Sequence, residues 1–485
     1  MDILAWGSVV AYFLLTTGVA VYSARRSRSL KEHAVGSRDI PAIVIGLSLS
    51  AQLTSVATFV VNPGLVYAFG LPGLYGYGVS AGLGIFLGLA ILSKRFRRQG
   101  ERVQALTVPQ WIEKRFNSRA LGTVFAILSL GLLSFATLIV VGLTVVMAPL
   151  LGLSPAVTLV ALVTLAVGAV LVGGATGHAW TNAAQAAVML VVALLMIGGG
   201  IPALLSHPDP TAALTAGNPY FLQPVNPASP YFRTFFEVFV CNFIVGLAIV
   251  CQPHVISKSL YLKDERDVRR YLITAILFGV VFTSVLVTGV WAKLTLIAPA
   301  RIDGAIPAWI ASQFSHPTQV LIAIGLLCAG LSTLEGIFLA LSSIIAVDIF
   351  PRLVRSPSDR AKLLAGRFGL TLGGIITVGL ALWQIEHPTG GTVAIFAQYG
   401  VYLLFSASFI PLACGMFVPR AATTTITVAV LTCVAVYLGV SFLQLTPYHN
   451  NPGFLATAGI LSAWMVVGAG LLIERPRPQV QGAAV

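Results

Sequence analysis

The chain has 485 residues, 57% of them hydrophobic and only 9% charged, with a formal net charge of +13. A soluble domain carries about 25% charged residues, so a soluble fold is excluded, and the lack of short alternating segments excludes a membrane barrel. The positive charge does not mark nucleic-acid binding: the basic residues stand in short clusters between apolar runs, with no basic arm of interleaved aromatics.

Crossing a bilayer takes roughly 20 apolar residues, and by that measure the chain is expected to be an all-α polytopic membrane protein with about thirteen transmembrane helices. The runs cover 3–23, 41–70, 71–98, 119–150, 154–174, 178–203, 231–251, 270–297, 319–349, 364–385, 393–417, 422–445 and 453–473. The first lacks a basic leader and a cleavage site, so it reads as a retained span rather than a signal peptide. The second has a polar middle at Gln52, Thr54, Ser55 and Thr58, followed by Asn62-Pro63-Gly64. That proline and glycine predict a broken helix, whose freed carbonyls must face protein or a cavity. In the third run Gly78, Gly82, Gly84 and Gly88 read as close helix contacts. The gap 206–230, rich in Pro and Asn, reads as an external loop. In the seventh run Arg233 and Glu237 are spaced for an ion pair at the external mouth.

The ninth run carries the most telling segment, Ala329-Gly-Leu-Ser-Thr-Leu-Glu335. It puts two neighbouring hydroxyls, Ser332 and Thr333, and the Glu335 carboxylate at membrane depth. Polar groups there are costly and mark an ion or solute path. The five cysteines, Cys241, Cys251, Cys328, Cys414 and Cys433, lack metal-ligand spacing and read as small buried hydrophobes.

Numbering the gaps alternately places all 29 basic residues on one side except Arg233, Lys293 and Arg301. The positive-inside rule then predicts a plasma (inner) membrane protein with its amino terminus outside and its carboxyl terminus cytoplasmic. No extramembrane segment is large enough to bury a core of its own, so 1–485 is expected to be one membrane domain. Residues 1–40 add a first helix and a basic loop, and 418–485 add two peripheral helices. Five spans in 41–203 and five in 231–417 make two halves of opposite orientation, a 5+5 inverted repeat of the kind found in secondary transporters.

Five segments resemble one family. Ser48-Leu-Ser-Ala-Gln-Leu-Thr-Ser-Val-Ala-Thr-Phe59, with Pro63-Gly64-x-x-Tyr67-x-x-Gly70, looks like the first core helix of sodium:solute symporters. Gly173-Gly-Ala-Thr-Gly-His-Ala-Trp-Thr-Asn-Ala-Ala-Gln185 is similar to the entry into the fifth. Gln252-Pro-His254 and the basic stretch from Lys258 to Arg270 resemble the proline and pantothenate branches. Ser332-Thr333 with Ser342-Ser343 and Asp348-Ile-Phe resembles the eighth core helix, and Ser408-Phe-Ile-Pro-Leu412 the tenth. The resemblance implies the leucine-transporter fold and a coupling sodium ion between the first and eighth core helices. Its implied ligands are the carbonyls of Ala51, Thr54 and Ala329 and the hydroxyls of Ser332 and Thr333. A hard cation wants such oxygens.

The chain also departs from the family. Asn182 stands where members commonly carry Asp, which in the sialic-acid branch helps to hold a second sodium. Its partner positions on the eighth helix are here Glu335 and Gly336. Glu335 facing Asn182 is therefore a candidate second cation or proton site, or a structural carboxylate bonded to Asn182, His178 or a hydroxyl. His178 and His254 read as interfacial or capping residues. Candidate solute contacts are Ser55, Thr58, Tyr75 and Tyr77, together with Val245 and Ile249, which match the proline branch's aromatic substrate positions and so count against proline. With no Arg or Lys expected deep in the bundle, the expected solute is a small monocarboxylate, amino acid or pantothenate-like acid, its carboxylate met by helix amino termini.

The expected function is sodium-coupled symport by alternating access. The alternatives are proton coupling through Glu335 and a membrane solute sensor without transport. No nucleophile, metal cluster or acid/base pair suggests an enzyme. The expected partners are sodium, a small organic solute and the lipid bilayer, with the oligomeric state left open.

Overall fold

The computed structural model describes residues 2–24, 34, 36, 39–296, 301–387 and 392–473. Arg25, Arg26, Arg28, Lys31, Arg38, Arg475 and Arg477, used in the charge count, lie outside the described residues. Every regular element among the described residues is a helix. Hydrocarbon offers no water to a backbone N–H or C=O, so apolar runs close their own hydrogen bonds.

The helices are α1 (Ile3–Ala24), α2 (Ala42–Leu53), α3 (Ala57–Phe69), α4 (Leu71–Arg102), α5 (Arg119–Leu151), α6 (Pro155–Ser206), α7 (Phe236–Ile249), α8 (Pro253–Tyr261), α9 (Glu265–Thr295), α10 (His316–Leu353), α11 (Asp359–Glu386), α12 (Val393–Phe417), α13 (Thr423–Phe442) and α14 (Pro452–Ile473). Among the described residues nine are long and apolar enough to cross a membrane, or up to 11 if α2–α3 and α7–α8 each count as one bent span. The expected count of about thirteen is thereby corrected. The runs 154–174 and 178–203 follow one another without a loop, as two helices within α6 that meet at a kink at Gly174 (φ 55°, ψ −161°). In α1 the apolar stretch covers only Ile3–Val19.

At the centre, α6 packs against α10, α2 and α1, while α9 covers α2 and α12 lies on α5 and α14. One end of the bundle gathers the basic residues. Lys94 pairs with Glu265 at 3.0 Å and Arg352 with Glu113. Arg97 and Arg115 donate to the Leu262 and Gly415 carbonyls at 3.1 and 2.9 Å. At the other end Arg233 pairs with Glu237 at 2.9 Å, as its spacing predicts, and Asn451 donates to the same carboxylate at 2.8 Å.

The glycines of α4 divide into two kinds. A Cβ on Gly84 would lie 2.3 Å from the Phe243 carbonyl oxygen, and one on Gly88 2.9 Å from that of Leu247. From the other side, a Cβ on Gly246 would meet the Ala81 carbonyl oxygen at 2.2 Å. Backbone therefore rests on backbone between α4 and α7. Gly78 and Gly82 make only ordinary side-chain contacts, their nearest atoms at 3.6 and 3.9 Å.

The segment 206–230 packs onto the bundle rather than standing free. Leu71 N–H donates to the Phe221 carbonyl at 2.7 Å, Asn226 Nδ2 donates to the Phe69 carbonyl at 3.0 Å, and Phe221 is fully buried. Gly70 between α3 and α4 has φ +88°, and a Cβ there would strike Phe221. Nearby, Asp303 accepts from Thr392 Oγ1 at 2.6 Å and from Val393 N at 3.2 Å, tying the turn Ile302–Gly304 to the start of α12. Burial raises the Asp303 carboxyl above its ordinary value against the lowering effect of these hydrogen bonds.

Two expectations follow from this packing. Gly84→Leu forces α4 off α7 at a cost of about 1–3 kcal/mol, so the thermal midpoint of the purified protein falls, whereas Gly168→Ala, which meets nothing within 4 Å, leaves it in place. Equal midpoints would contradict the close approach. Because the Asp303 carboxyl titrates higher folded than unfolded, its contribution to stability is full below the ordinary carboxylate range. That contribution is lost as pH rises through the raised folded value. Asp303→Asn is expected to flatten this decline in a melting series from about pH 4 to about pH 7; a wild-type series that rises instead would refute it.

Candidate functional site

The first bent span breaks between Leu53 and Ala57, turning the chain by 51°. Thr54 leaves the helical region (φ −110°, ψ 89°), and its N–H reaches back to the Ser50 and Ala51 carbonyls at 3.1 and 3.3 Å. Ser55 Oγ accepts from Ala57 N at 3.1 Å and restarts the helix. The break thus lies ahead of Asn62-Pro63-Gly64, where the sequence suggested it. Pro63 instead lies inside α3, where the π-helical segment Ala57–Val61 runs on into Asn62–Phe69 and Val61 and Asn62 keep helical angles. Gly64 is small because the Ile302 carbonyl oxygen would sit 2.6 Å from a Cβ.

Two hydroxyls of α10 meet this break. Ser332 Oγ donates to the Ala51 and Ala329 carbonyls, both at 3.0 Å. Thr333 Oγ1 donates to the Gln52 carbonyl at 3.0 Å and to Ala329 at 3.3 Å. Ala51, Ala329, Ser332 and Thr333 are fully buried, and Thr54 is nearly so. Four of the five implied sodium ligands therefore share one hydrogen-bonded cluster, with Thr54 adjoining through its N–H to Ala51. The Gln52 carbonyl, which the sequence reading passed over, belongs to the same cluster. Neutral oxygens from two helices, closed off from water, are a fitting donor set for a hard monovalent cation.

Beside this cluster lies a second one that the sequence reading only partly anticipated. Glu335 Oε2 is 3.5 Å from His178 Nδ1, and His178 Nε2 is 3.3 Å from Asn182 Nδ2. Glu335 and Asn182 therefore meet through the His178 ring. Asn182 also donates to the Ser332 and Ser48 carbonyls at 3.3 and 3.5 Å. His178 and His254 are both buried in the bundle. Lys258, placed by the sequence in a basic loop, is only 1% exposed and donates from Nζ to Ser48 Oγ. The expectation of no deep Lys or Arg fails at this residue. Its signal was available: Lys258 sits in Pro253–Tyr261, otherwise uncharged but for His254, which the structure folds back as α8 after a 56° bend. Gly336 gives the cluster room, since a Cβ there would lie 2.1 Å from Gln52 Nε2.

The candidate solute residues are more scattered. Tyr77 accepts from Gln398 Nε2 at 3.3 Å and meets Phe232 edge-on, while Tyr75 stacks on Phe239. Val245 is buried, and Thr58 and Ile249 are half-buried. No hydrogen bond or ring contact among the described residues links Ser55 or Thr58 to Tyr75 or Tyr77. Ser342 and Ser343 are buried on α10, with Ser343 donating back to the Leu339 carbonyl at 2.9 Å.

Comparison with known proteins meets this geometry. Residues 33–432 match the profile described as the sodium:solute symporter family. The chain is 26% identical over 292 residues to the sodium/pantothenate symporter of Escherichia coli (strain K12), and the match spans 58% of this chain and 58% of that relative's length. It is 24% identical over 352 residues to the sodium/pantothenate symporter of Haemophilus influenzae, covering 70% of this chain and 71% of that one. A solved Na+-coupled sialic acid symporter, substrate-bound and outward-open, superposes with a TM-score of 0.79 at 20% identity, covering 98% and 99% of the two chains. That likeness concerns the fold. With the profile running from ahead of the broken helix into α13, the chain belongs to the sodium:solute symporter family, multi-pass membrane transporters rather than enzymes, with sodium as the coupling ion.

Proposed function

We propose that this protein takes up a small organic solute by sodium-coupled symport, with sodium held by the Ala51, Thr54 and Ala329 carbonyls and the Ser332 and Thr333 hydroxyls. The observation that carries this reading is the pair of α10 hydroxyls on the carbonyls at the break, Ser332 on Ala51 and Thr333 on Gln52, each at 3.0 Å. A bound cation would replace those hydrogen bonds with coordination and draw α10 and the break together. Ion and solute that both favour that arrangement are coupled by the free energy they share.

The solute is placed beyond the break, on the side of α3 and α4, with Ser55, Thr58, Tyr75, Tyr77, Val245 and Ile249 as its candidate contacts. Ser55 and Tyr77 already accept hydrogen bonds, so a solute must share or displace them. Its class is a monocarboxylate, amino acid or pantothenate-like acid, supported by the named activity of the two bacterial relatives. The two bent spans head the segments 41–203 and 231–417, which supports reading these as inverted halves. The charge distribution supports an external amino terminus.

The test is thermal stabilisation of the purified protein by a panel of such acids in sodium or potassium. A ligand of this class is expected to stabilise far more in sodium. Ser332→Ala and Thr333→Ala should each raise the sodium concentration needed by about tenfold, equivalent to about 1.4 kcal/mol. Stabilisation indifferent to the ion, or variants with unchanged sodium demand, would overturn the reading.

A further inference from the structure

A carboxylate deep in a membrane bundle needs a positive partner. Glu335 is 5% exposed and, among the described residues, forms a salt contact only with His178, a ring already engaged on its other nitrogen by Asn182. The remaining cation nearby is Lys258. It enters from α8, is as deeply buried as Glu335, and interacts electrostatically with it without direct contact. Its Nζ donates to Ser48 Oγ, the Ser48 carbonyl accepts from Asn182, and Asn182 donates to the Ser332 carbonyl of the sodium cluster. A chain of polar contacts thus runs from Lys258 to the proposed ion site.

A cavity of ≈ 20 Å³, room for about one water, lies beside the lysine and is lined by Gln52, His178, His254 and Gly336 among others. Gln52 Oε1 and His254 Nδ1 are buried without a protein partner. Both residues line this cavity together with Lys258, so two polar atoms without a partner share it with the lysine.

We propose that Lys258 is a tethered cation: its ammonium does for Glu335 what a second bound ion would otherwise do, so the protein binds one sodium where the Glu335 cluster would take another. Resting on the sodium reading above, the idea assigns the Glu335–Asn182 cluster a charge supplied by the chain itself. Shortening the lysine to an uncharged side chain leaves Glu335 unbalanced and its cluster open to an external cation.

The experiment is binding of radioactive sodium alone to the purified full-length protein at neutral pH. Wild type, Glu335→Gln and the double variant Lys258→Met/Glu335→Gln are expected to hold about one sodium per chain, and Lys258→Met about two. If Lys258→Met does not fold, the double variant is expected to recover sodium-dependent thermal stabilisation, because it removes the unbalanced charge. Two sodium ions on the wild type, one on Lys258→Met, or a double variant as damaged as the single one would each overturn the proposal. No sodium on the wild type would instead sink the sodium reading itself, and Ser332→Ala, expected to weaken binding in every background, keeps the two failures apart.

Discussion

Everything at the centre of this bundle depends on the rule that a peptide group in hydrocarbon must be paired within the protein. Breaking a helix at Thr54 to Val56 frees carbonyls that no water can reach. The chain answers with hydroxyls from α10 and amides from α6, so a local defect in one helix obliges two others to pack against it. The small residues around the break serve the same need. Gly336 clears space for Gln52, Gly64 lets the Ile302 carbonyl approach, and Gly289 lies against the Pro63 carbonyl. The ion site proposed here would use groups whose pairing is already compulsory, so it would need no formal charge among its ligands.

The charged groups obey a different rule and are set one layer away. Glu335, His178 and Lys258 lie next to the ion cluster but touch it only through Asn182 and Ser48. Neutral ligands can let a monovalent cation go; a carboxylate in the same shell would hold it. Separating the two layers keeps the charge near enough to shape the local potential and far enough not to trap the ion.

Much of this was legible in the sequence because it rests on local patterns. Hydrophobic run length identified the helical membrane class, the Ser332-Thr333-x-Glu335 spacing picked out the stretch of α10 that meets the break, and the i, i+4 spacing of Arg233 and Glu237 foretold their contact. What failed depended on backbone angles or on the other end of the chain. The run count overshot because run length does not see how short an apolar stretch such as Ile3–Val19 is, nor a kink such as that at Gly174, where two helices follow one another without a loop. The break in the second run was placed at its proline, although the backbone stays helical through Pro63 and turns at Thr54 instead. Lys258 looked like a cytoplasmic loop residue because six neighbours say nothing about a 56° fold-back that carries it inward. The hydrogen bond from Thr333 to the Gln52 carbonyl joins residues 281 positions apart, a distance no local pattern encodes.

The contact between α4 and α7 has a mechanical consequence. Side chains packed in a membrane can trade rotamers and let helices slide, but a carbonyl pressed against a neighbouring Cα has nothing to rearrange. Gly84 and Gly246 therefore lock the two helices together, and a change of access that moves one is expected to carry the other with it. Polar side chains, not main chain on main chain, bridge the seams that α10 and α6 share with α2. The rigid joint and the polar seams belong to the same bundle, and the cluster proposed to hold the ion lies in a polar one.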